Sequence, residues 1–225
     1  MCGRAKLPDD VSEIKLDLKI DFDEIGDYQP RWNAAPTTKL PVVVSAGGSR
    51  VLTLMRWGLI PSCANDLKIG YSTFNARAET LTTRAAFRDA WRAGRRCLVL
   101  ADGYYEWRDA DKQPFAIALA NRGPMTLAGL WEDWRSPAGE RIKSFAIITT
   151  TANALLAPLH DRMPVVIPAD SWGDWLGENP ASDVHSLLRP YSDQAMAFWA
   201  VDRKVGNVRN DSPDLFAPIG LAPGP

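Results

Sequence analysis

The sequence predicts an α+β fold, a mainly antiparallel curved sheet or open β-barrel-like core with helices at its periphery. Two observations carry that expectation: nine short β-rich runs, and helical candidates that do not alternate with them as βαβ units would. A third is the lack of an internal repeat or low-complexity linker, so 1–225 reads as a single domain. In order, the acidic opening (four basic against eight acidic residues over 1–27) holds a helix somewhere in 9–25. Apolar and β-branched runs at 40–45 and 50–57 read as strands. Thr82-Thr83 offers an N-cap for a helix over 83–93, with Phe87 and Trp91 at i, i+4 spacing and Gly94 as its stop. Strands are expected at 95–101, 104–108, 115–119, 125–131 and 143–150. A short helix at 152–158, a strand at 164–167, helices near 169–176 and 181–188 and a strand at 196–201 complete the reading. Residues 217–225, rich in Gly and Pro, read as a flexible tail.

Composition narrows the function. Lys and Arg number 26 against 27 Asp and Glu, a net charge of −1, so bulk charge alone gives no polycationic nucleic-acid binder. Arginine nonetheless makes up 18 of the 26 cations, and its planar fork suits phosphate as well as structural ion pairs. No apolar run approaches the ~18 residues a spanning helix needs, and Met1-Cys2-Gly3-Arg4 precedes no apolar leader segment. Three cysteines, Cys2, Cys63 and Cys97, are an odd number at wide spacing, which favours a reducing, cytoplasmic setting. There is no CxxC pair, no histidine pair at zinc spacing and no phosphate-cradling glycine loop, so neither a metal nor a nucleotide cofactor is expected. The chain is expected to be a monomer away from any membrane.

Four constellations can do chemistry. Cys2 would become the first residue if Met1 were removed, placing an amine (pKa ~7.7 to 8.0) and a thiol (~8.5) on one residue. Such a 1,2-aminothiol condenses with an aldehyde to a Schiff base, and the thiol then closes a five-membered thiazolidine; an ordinary terminal cysteine is the alternative. His160, in His160-Asp161-Arg162-Met163-Pro164, stands between charged neighbours before an apolar run, which suits either general acid–base work or a turn-satisfying role. His185 reads as surface. Glu106, among the aromatics of Gly103-Tyr104-Tyr105-Glu106-Trp107, is a proton shuttle or half of an ion pair. Asn75, Arg77 and Glu79 alternate along one side of an extended segment, as substrate-orienting groups or as a solvated edge. Nine tryptophans, several beside arginines, serve as core residues or as stacking platforms for single strands.

Taken together, Met1-Cys2-Gly3-Arg4, Trp32-Asn33-Ala34-Ala35-Pro36, Trp57-Gly58-Leu59-Ile60-Pro61, Asn75-Ala76-Arg77-Ala78-Glu79, Gly103-Tyr104-Tyr105-Glu106-Trp107, His160-Asp161-Arg162-Met163-Pro164 and Val205-Gly206-Asn207-Val208-Arg209-Asn210 resemble the SRAP family, the SOS-response-associated peptidases. The resemblance spans nearly the whole chain. It implies the SRAP fold and a partner, single-stranded DNA containing abasic sites, which Cys2 would capture as a thiazolidine through the ring-opened sugar's aldehyde. It further implies that Asn75 positions Cys2 and the sugar, that Glu106 holds or relays the proton of the amine, and that His160 acts as acid or base at the sugar ring oxygen. Arg4, Arg77 and Arg162 match positions that grip phosphates, Thr149 a further backbone contact, and Trp107 a stacking residue, with Gly3 and Asn210 as contributors. The setting implied is the DNA damage response, cytoplasmic and nucleoid-associated when bound, with abasic-site lyase activity as a possible accompaniment. The family name also implies autoproteolysis, yet only Met1 precedes Cys2, so an ordinary aminopeptidase would suffice. Two competing readings use the same residues or fewer: an N-terminal-nucleophile or Cys–His peptidase or amidohydrolase with His160 as base, and a non-covalent single-strand binder with Cys2 incidental.

Overall fold

The computed structural model describes residues 2–220. Its strands, in chain order, are Ala5–Lys6 (β1), Phe22–Asp23 (β2), Lys39–Ala46 (β3), Ser49–Trp57 (β4), Asn75–Arg77 (β5), Arg96–Ala101 (β6), Gly103–Trp107 (β7), Pro114–Leu119 (β8), Met125–Arg135 (β9), Arg141–Thr151 (β10), Arg162–Pro164 (β11) and Met196–Ala200 (β12). The α-helices are short: Ser12–Asp17 (α1), Arg88–Arg92 (α2) and Trp172–Leu176 (α3). Strands β10, β9, β6, β3 and β4 pair successively antiparallel. A parallel contact of β4 with β10, Arg56 opposite Ser144 and Trp57 opposite Phe145, closes them into a five-stranded ring. A second sheet runs β1-β7-β8-β12. The expected α+β, barrel-like core is therefore present.

Why the ring strands read as near-continuous apolar runs is visible in their packing. Alternate residues Val42, Val44, Met55, Val99, Leu127 and Phe145 join one core with Ala5, Tyr104 and Ile117 of the second sheet. The intervening Val43, Leu52, Leu98, Leu100, Ala128 and Ile148 join another with Ile14 of α1, Trp91 of α2 and Trp175 of α3. With both faces covered, neither parity of a strand needs to be polar. Burying side chains of this size contributes roughly 1.5–3 kcal/mol each, so the ring is a rigid base for what it carries.

The structure revises several expected elements. The helix over 83–93 shrinks to α2, with Phe87 rather than Thr83 at its N-cap position. The Thr83 and Arg84 amides both donate to the Thr80 carbonyl, and Thr83 Oγ1 donates there too, so the threonines build a turn instead of accepting a helix N–H. Residues 152–158 form successive turns, and the 181–188 helix is a 3-10 segment, Val184–Leu187. The strand expected at 164–167 lies at β11, after which Val165 donates to Ile148 and Ile167 to Thr126, so the run leaves β10 for β9. Of the expected tail, Ile219 donates to Ala200 at 2.9 Å, while 221–225 lie outside the described residues, as does Met1. No helix among the described residues is long and apolar enough to cross a membrane.

Candidate functional site

Strand β10 gathers the site. Its C-terminal half pairs in parallel with β5, Ile147 opposite Asn75 and Thr149 opposite Arg77, and antiparallel with β11, Thr149 opposite Pro164. The segments carrying Asn75, Arg77 and Arg162 therefore flank the same few residues. From the other sheet, β1 pairs with β7, Ala5 opposite Tyr104, and the Tyr105 amide donates to the Arg4 carbonyl at 3.0 Å. That pairing sets the beginning of the chain beside Glu106. The two sheets meet where Asn75 Nδ2 donates to the Cys2 carbonyl at 2.7 Å, a contact across 73 residues of sequence. Asn75 Oδ1 is buried and has no hydrogen-bond partner among the described residues.

Cys2 is 1% exposed. Burial, and after it the negative charge of Glu106, pushes its thiol well above the ordinary cysteine range, so the thiol is held protonated. Tyr104 is raised by burial first and then by the same two groups, which places Cys2, Tyr104 and Glu106 in one electrostatic neighbourhood. Glu106 itself is buried, and its Oε1 accepts from the Trp107 amide at 3.3 Å. His160 is half-buried. Its Nδ1 lies 3.0 Å from the Arg162 amide and 2.8 Å from Asp161 Oδ1. The first contact needs the Nδ1 lone pair and the second a proton on Nδ1, so the ring makes one of them at a time.

The arginines differ sharply. Arg4 donates to Asn33 Oδ1 at 2.9 Å and to the carbonyls of Val205 and Gly206 at 2.6 and 3.0 Å, with its Cζ 5.8 Å from the Trp107 ring centroid. These acceptors orient it without neutralising its charge. Arg77 is exposed and, with Asn75, Arg84 and Phe87, lines a cavity of about 480 Å³. Arg162, by contrast, is buried and forks onto Glu79 at 2.7 and 3.0 Å and onto the Thr149 carbonyl at 2.6 Å. That fork holds the Glu79 carboxyl below its usual range. Thr149 is fully buried between β5 and β11, Gly3 is half-buried beside Arg4, and half-buried Trp107 lies against Arg4. The Asn210 side chain donates to Lys204, closing its own loop.

Sequence reasoning gave Asn33 no role. It is buried, and its Nδ2 lies 2.8 to 3.1 Å from the carbonyls of Val205, Asn207 and Asn210 while its Oδ1 accepts from Arg4. It clasps the C-terminal segment to the start of the chain, and its signal was its place in the Trp32 to Pro36 motif. Nor did the partnership of Glu79 with Arg162 follow from the alternation of Asn75, Arg77 and Glu79.

A closed strand ring beside which Cys2 is buried, bonded by Asn75 and within the electrostatic reach of Glu106, defines an α+β barrel protein with a candidate site where its two sheets meet. The chain belongs to the SRAP family: the family model "SOS response associated peptidase (SRAP)" matches residues 1–208. It is 38% identical over 222 residues to the abasic site processing protein YoqW of Bacillus subtilis (strain 168), covering 96% of this chain and 99% of that one. To the abasic site processing protein HMCES of Xenopus tropicalis it is 34% identical over 229 residues, covering 86% of this chain and 68% of the other. A Bacteroides thetaiotaomicron crystal structure matches with a TM-score of 0.85 at 23% identity, over 96% of this chain and 99% of that one, a likeness of fold. One from Bordetella bronchiseptica matches at 0.77 and 27% identity, over 89% and 100%.

Proposed function

We propose that this protein recognises abasic sites in single-stranded DNA and captures them covalently through Cys2 once Met1 has been removed. The observation that carries the reading is the Asn75 hydrogen bond to Cys2 in the electrostatic reach of Glu106. The two relatives named as abasic site processing proteins support the substrate.

The order of steps follows from the burial of the thiol. Held protonated, it is the weaker nucleophile at neutral pH, so the α-amine attacks first. His160 gives a proton to the sugar ring oxygen as the C1′–O4′ bond breaks, and the C1′ hydroxyl releases its own proton to water, leaving the C1′ aldehyde. The amine adds to C1′ and water departs, leaving an imine, while Glu106 relays the amine's proton. The sulfur then adds to the imine carbon and the thiol proton passes to nitrogen, closing the thiazolidine. Arg4 and Arg77 attract the flanking phosphates, Trp107 stacks beside the lesion, and Gly3 and Asn210 complete the contacts. Arg162 and Thr149 serve chiefly by fixing β5 against β11; Arg162 reaches a phosphate only by sharing its fork with Glu79. The imine also acidifies the C2′ proton, so β-elimination competes until ring closure removes the imine.

The test is a denaturing gel with intact mass analysis, using Met1-free protein and a single-stranded oligonucleotide bearing one abasic site. A heat-resistant adduct that needs both the lesion and Cys2 is expected. Cys2→Ser, which keeps the amine, should cleave the strand more and trap it less. No adduct from protein shown by mass to lack Met1 would overturn the reading, and turnover of a peptide or amide would favour hydrolysis.

A further inference from the structure

Away from Cys2, a groove of about 630 Å³ opens on the ring where β3, β4 and β10 meet. Three cations line it without an ion pair among the described residues: Lys39 on β3, Arg56 on β4 and Lys143 on β10. Lys39 and Arg56 are direct cross-strand partners, so their side chains share one face. Like charges placed opposite each other destabilise a sheet unless something else neutralises them. Within the groove the carboxylates are Asp133 and Glu140. Asp133 stands directly opposite Lys143 in the β9–β10 pairing, yet it is bonded to Arg141 instead. Four cations thus face two acids, one of them already engaged.

A second, independent observation is backbone strain at the rim. Thr37 has φ +84°, a conformation that a β-branched residue rarely adopts. It is held there by its amide donating to Trp57 at 2.7 Å, and Trp57 in turn donates to Thr38 at 2.8 Å. Strain of this kind persists where the surroundings over-determine it, commonly at ligand contacts.

The groove and the cavity that holds Asn75 and Arg77 share no lining residue, but one short turn touches both. Trp57, next to Arg56, donates from Nε1 to the Phe74 carbonyl, and Phe74 precedes Asn75. The 3-10 turn Leu67–Tyr71 spans the gap: Ile69 lines the cavity containing Asn75 and Arg77, while Tyr71, 61% exposed, has its ring 5.7 Å from Arg56 Cζ. An exposed ring beside a guanidinium that has no ion pair is the arrangement that holds a nucleobase and its phosphate.

We infer that the Lys39–Arg56–Lys143 groove carries the phosphate backbone of the DNA strand onward from the lesion, with Tyr71 as its stacking platform. The inference rests on the DNA reading above. It assigns a second binding region that acts on affinity and footprint and leaves the covalent chemistry alone.

The experiment compares wild type with a K39E/K143E double variant, both lysines being exposed. Abasic single strands with about four nucleotides on either side of the lesion are set against strands with about twelve, within the range such grooves cover. On the long strand, non-covalent affinity should fall at least tenfold, and the log–log salt slope should become shallower by about 1.4, roughly 0.7 for each phosphate that a lysine no longer neutralises. On the short strand the crosslinking rate should be unchanged. Tyr71→Ala should weaken long-strand binding without altering the salt slope. Equal long-strand affinity and slope in wild type and K39E/K143E, with unfolding midpoints matched, would overturn the inference. Failure of wild type to crosslink any abasic strand would instead overturn the functional reading, and binding of intact single strands would still test the groove.

Discussion

The contact between Asn75 and Cys2 joins two sheets through one hydrogen bond, and its loss can be weighed. A neutral hydrogen bond is worth about 1 kcal/mol net, and a buried carbonyl left without a donor costs about 1–3 kcal/mol. Asn75→Ala should therefore slow crosslink formation about tenfold or more, by letting the start of the chain wander from Glu106. Salt dependence of non-covalent binding should stay as in wild type, because Asn75 carries no charge toward a phosphate. Single-turnover gels at several salt concentrations check both, and an unchanged rate would show that Asn75 does not position Cys2. At this scale the sequence was legible where chemistry is carried by residue type. Cys2, Asn75 and Glu106, singled out from three separate motifs, lie together in the fold. Arg162 was less legible, since whether a guanidinium meets a phosphate or Glu79 depends on a neighbour 83 residues away.

Among the elements, the closure of the ring turns on a glycine. Gly58 follows the last β4 residue, has φ +118°, and donates to the Phe145 carbonyl at 2.8 Å. A Cβ there would stand 2.3 Å from the Gly70 carbonyl oxygen and 3.0 Å from Arg56 Nη1. Gly58→Ala should therefore cost about 3 kcal/mol or more, combining backbone strain with overpacking. Gly48→Ala is the control: φ is +84° but nothing lies within 4 Å, so strain alone, about 1–2 kcal/mol, should remain. Urea midpoints of both variants check the difference, and equal losses would show that close approach contributes nothing. Eight of the nine β-rich runs correspond closely to β3, β4, β6 to β10 and β12, because their apolar residues feed the buried cores, while the ninth, 164–167, meets β11 only at Pro164. Strands β1 and β2 were invisible as strands, each being two residues long and fixed only by a distant partner, while the extended segment read at 75–79 holds as β5 only to Arg77, Glu79 lying in a 3-10 turn. The same limit hid the early end of the 83–93 helix, where local threonine hydrogen bonds outweighed propensity.

For the molecule as a whole, the buried thiols and paired carboxylates set a pH window of stability. Glu79 and Glu178 are held low mainly by hydrogen bonds from Arg162 and Arg50, and Asp23 by one from Lys15. A depressed carboxyl contributes stability above its unfolded value, about 3.9–4.3, and loses it as pH falls through the folded one. Cys2 and Cys97 are both pushed up, by burial first, so they act in the opposite sense. Their contribution is fully present below the unfolded thiol value, about 8.5, and is eroded as pH rises, because the unfolded chain releases protons that the folded chain keeps. Tyr28, Tyr104 and Tyr105, all raised by burial, add to the loss above about pH 10. Unfolding free energy should therefore be flat from about pH 5 to 8 and then fall by roughly 2.7 kcal/mol per pH unit between about 9 and 10, the slope for two thiols. Cys97→Ala leaves one titrating thiol, so its alkaline slope should halve to about 1.4 kcal/mol per unit, whatever its stability at neutral pH. Urea unfolding at half-unit steps from pH 7 to 10 reads both slopes. A wild-type midpoint independent of pH across that range would mean that the interior accepts the thiolates, and that Cys2 is not held protonated ahead of imine formation.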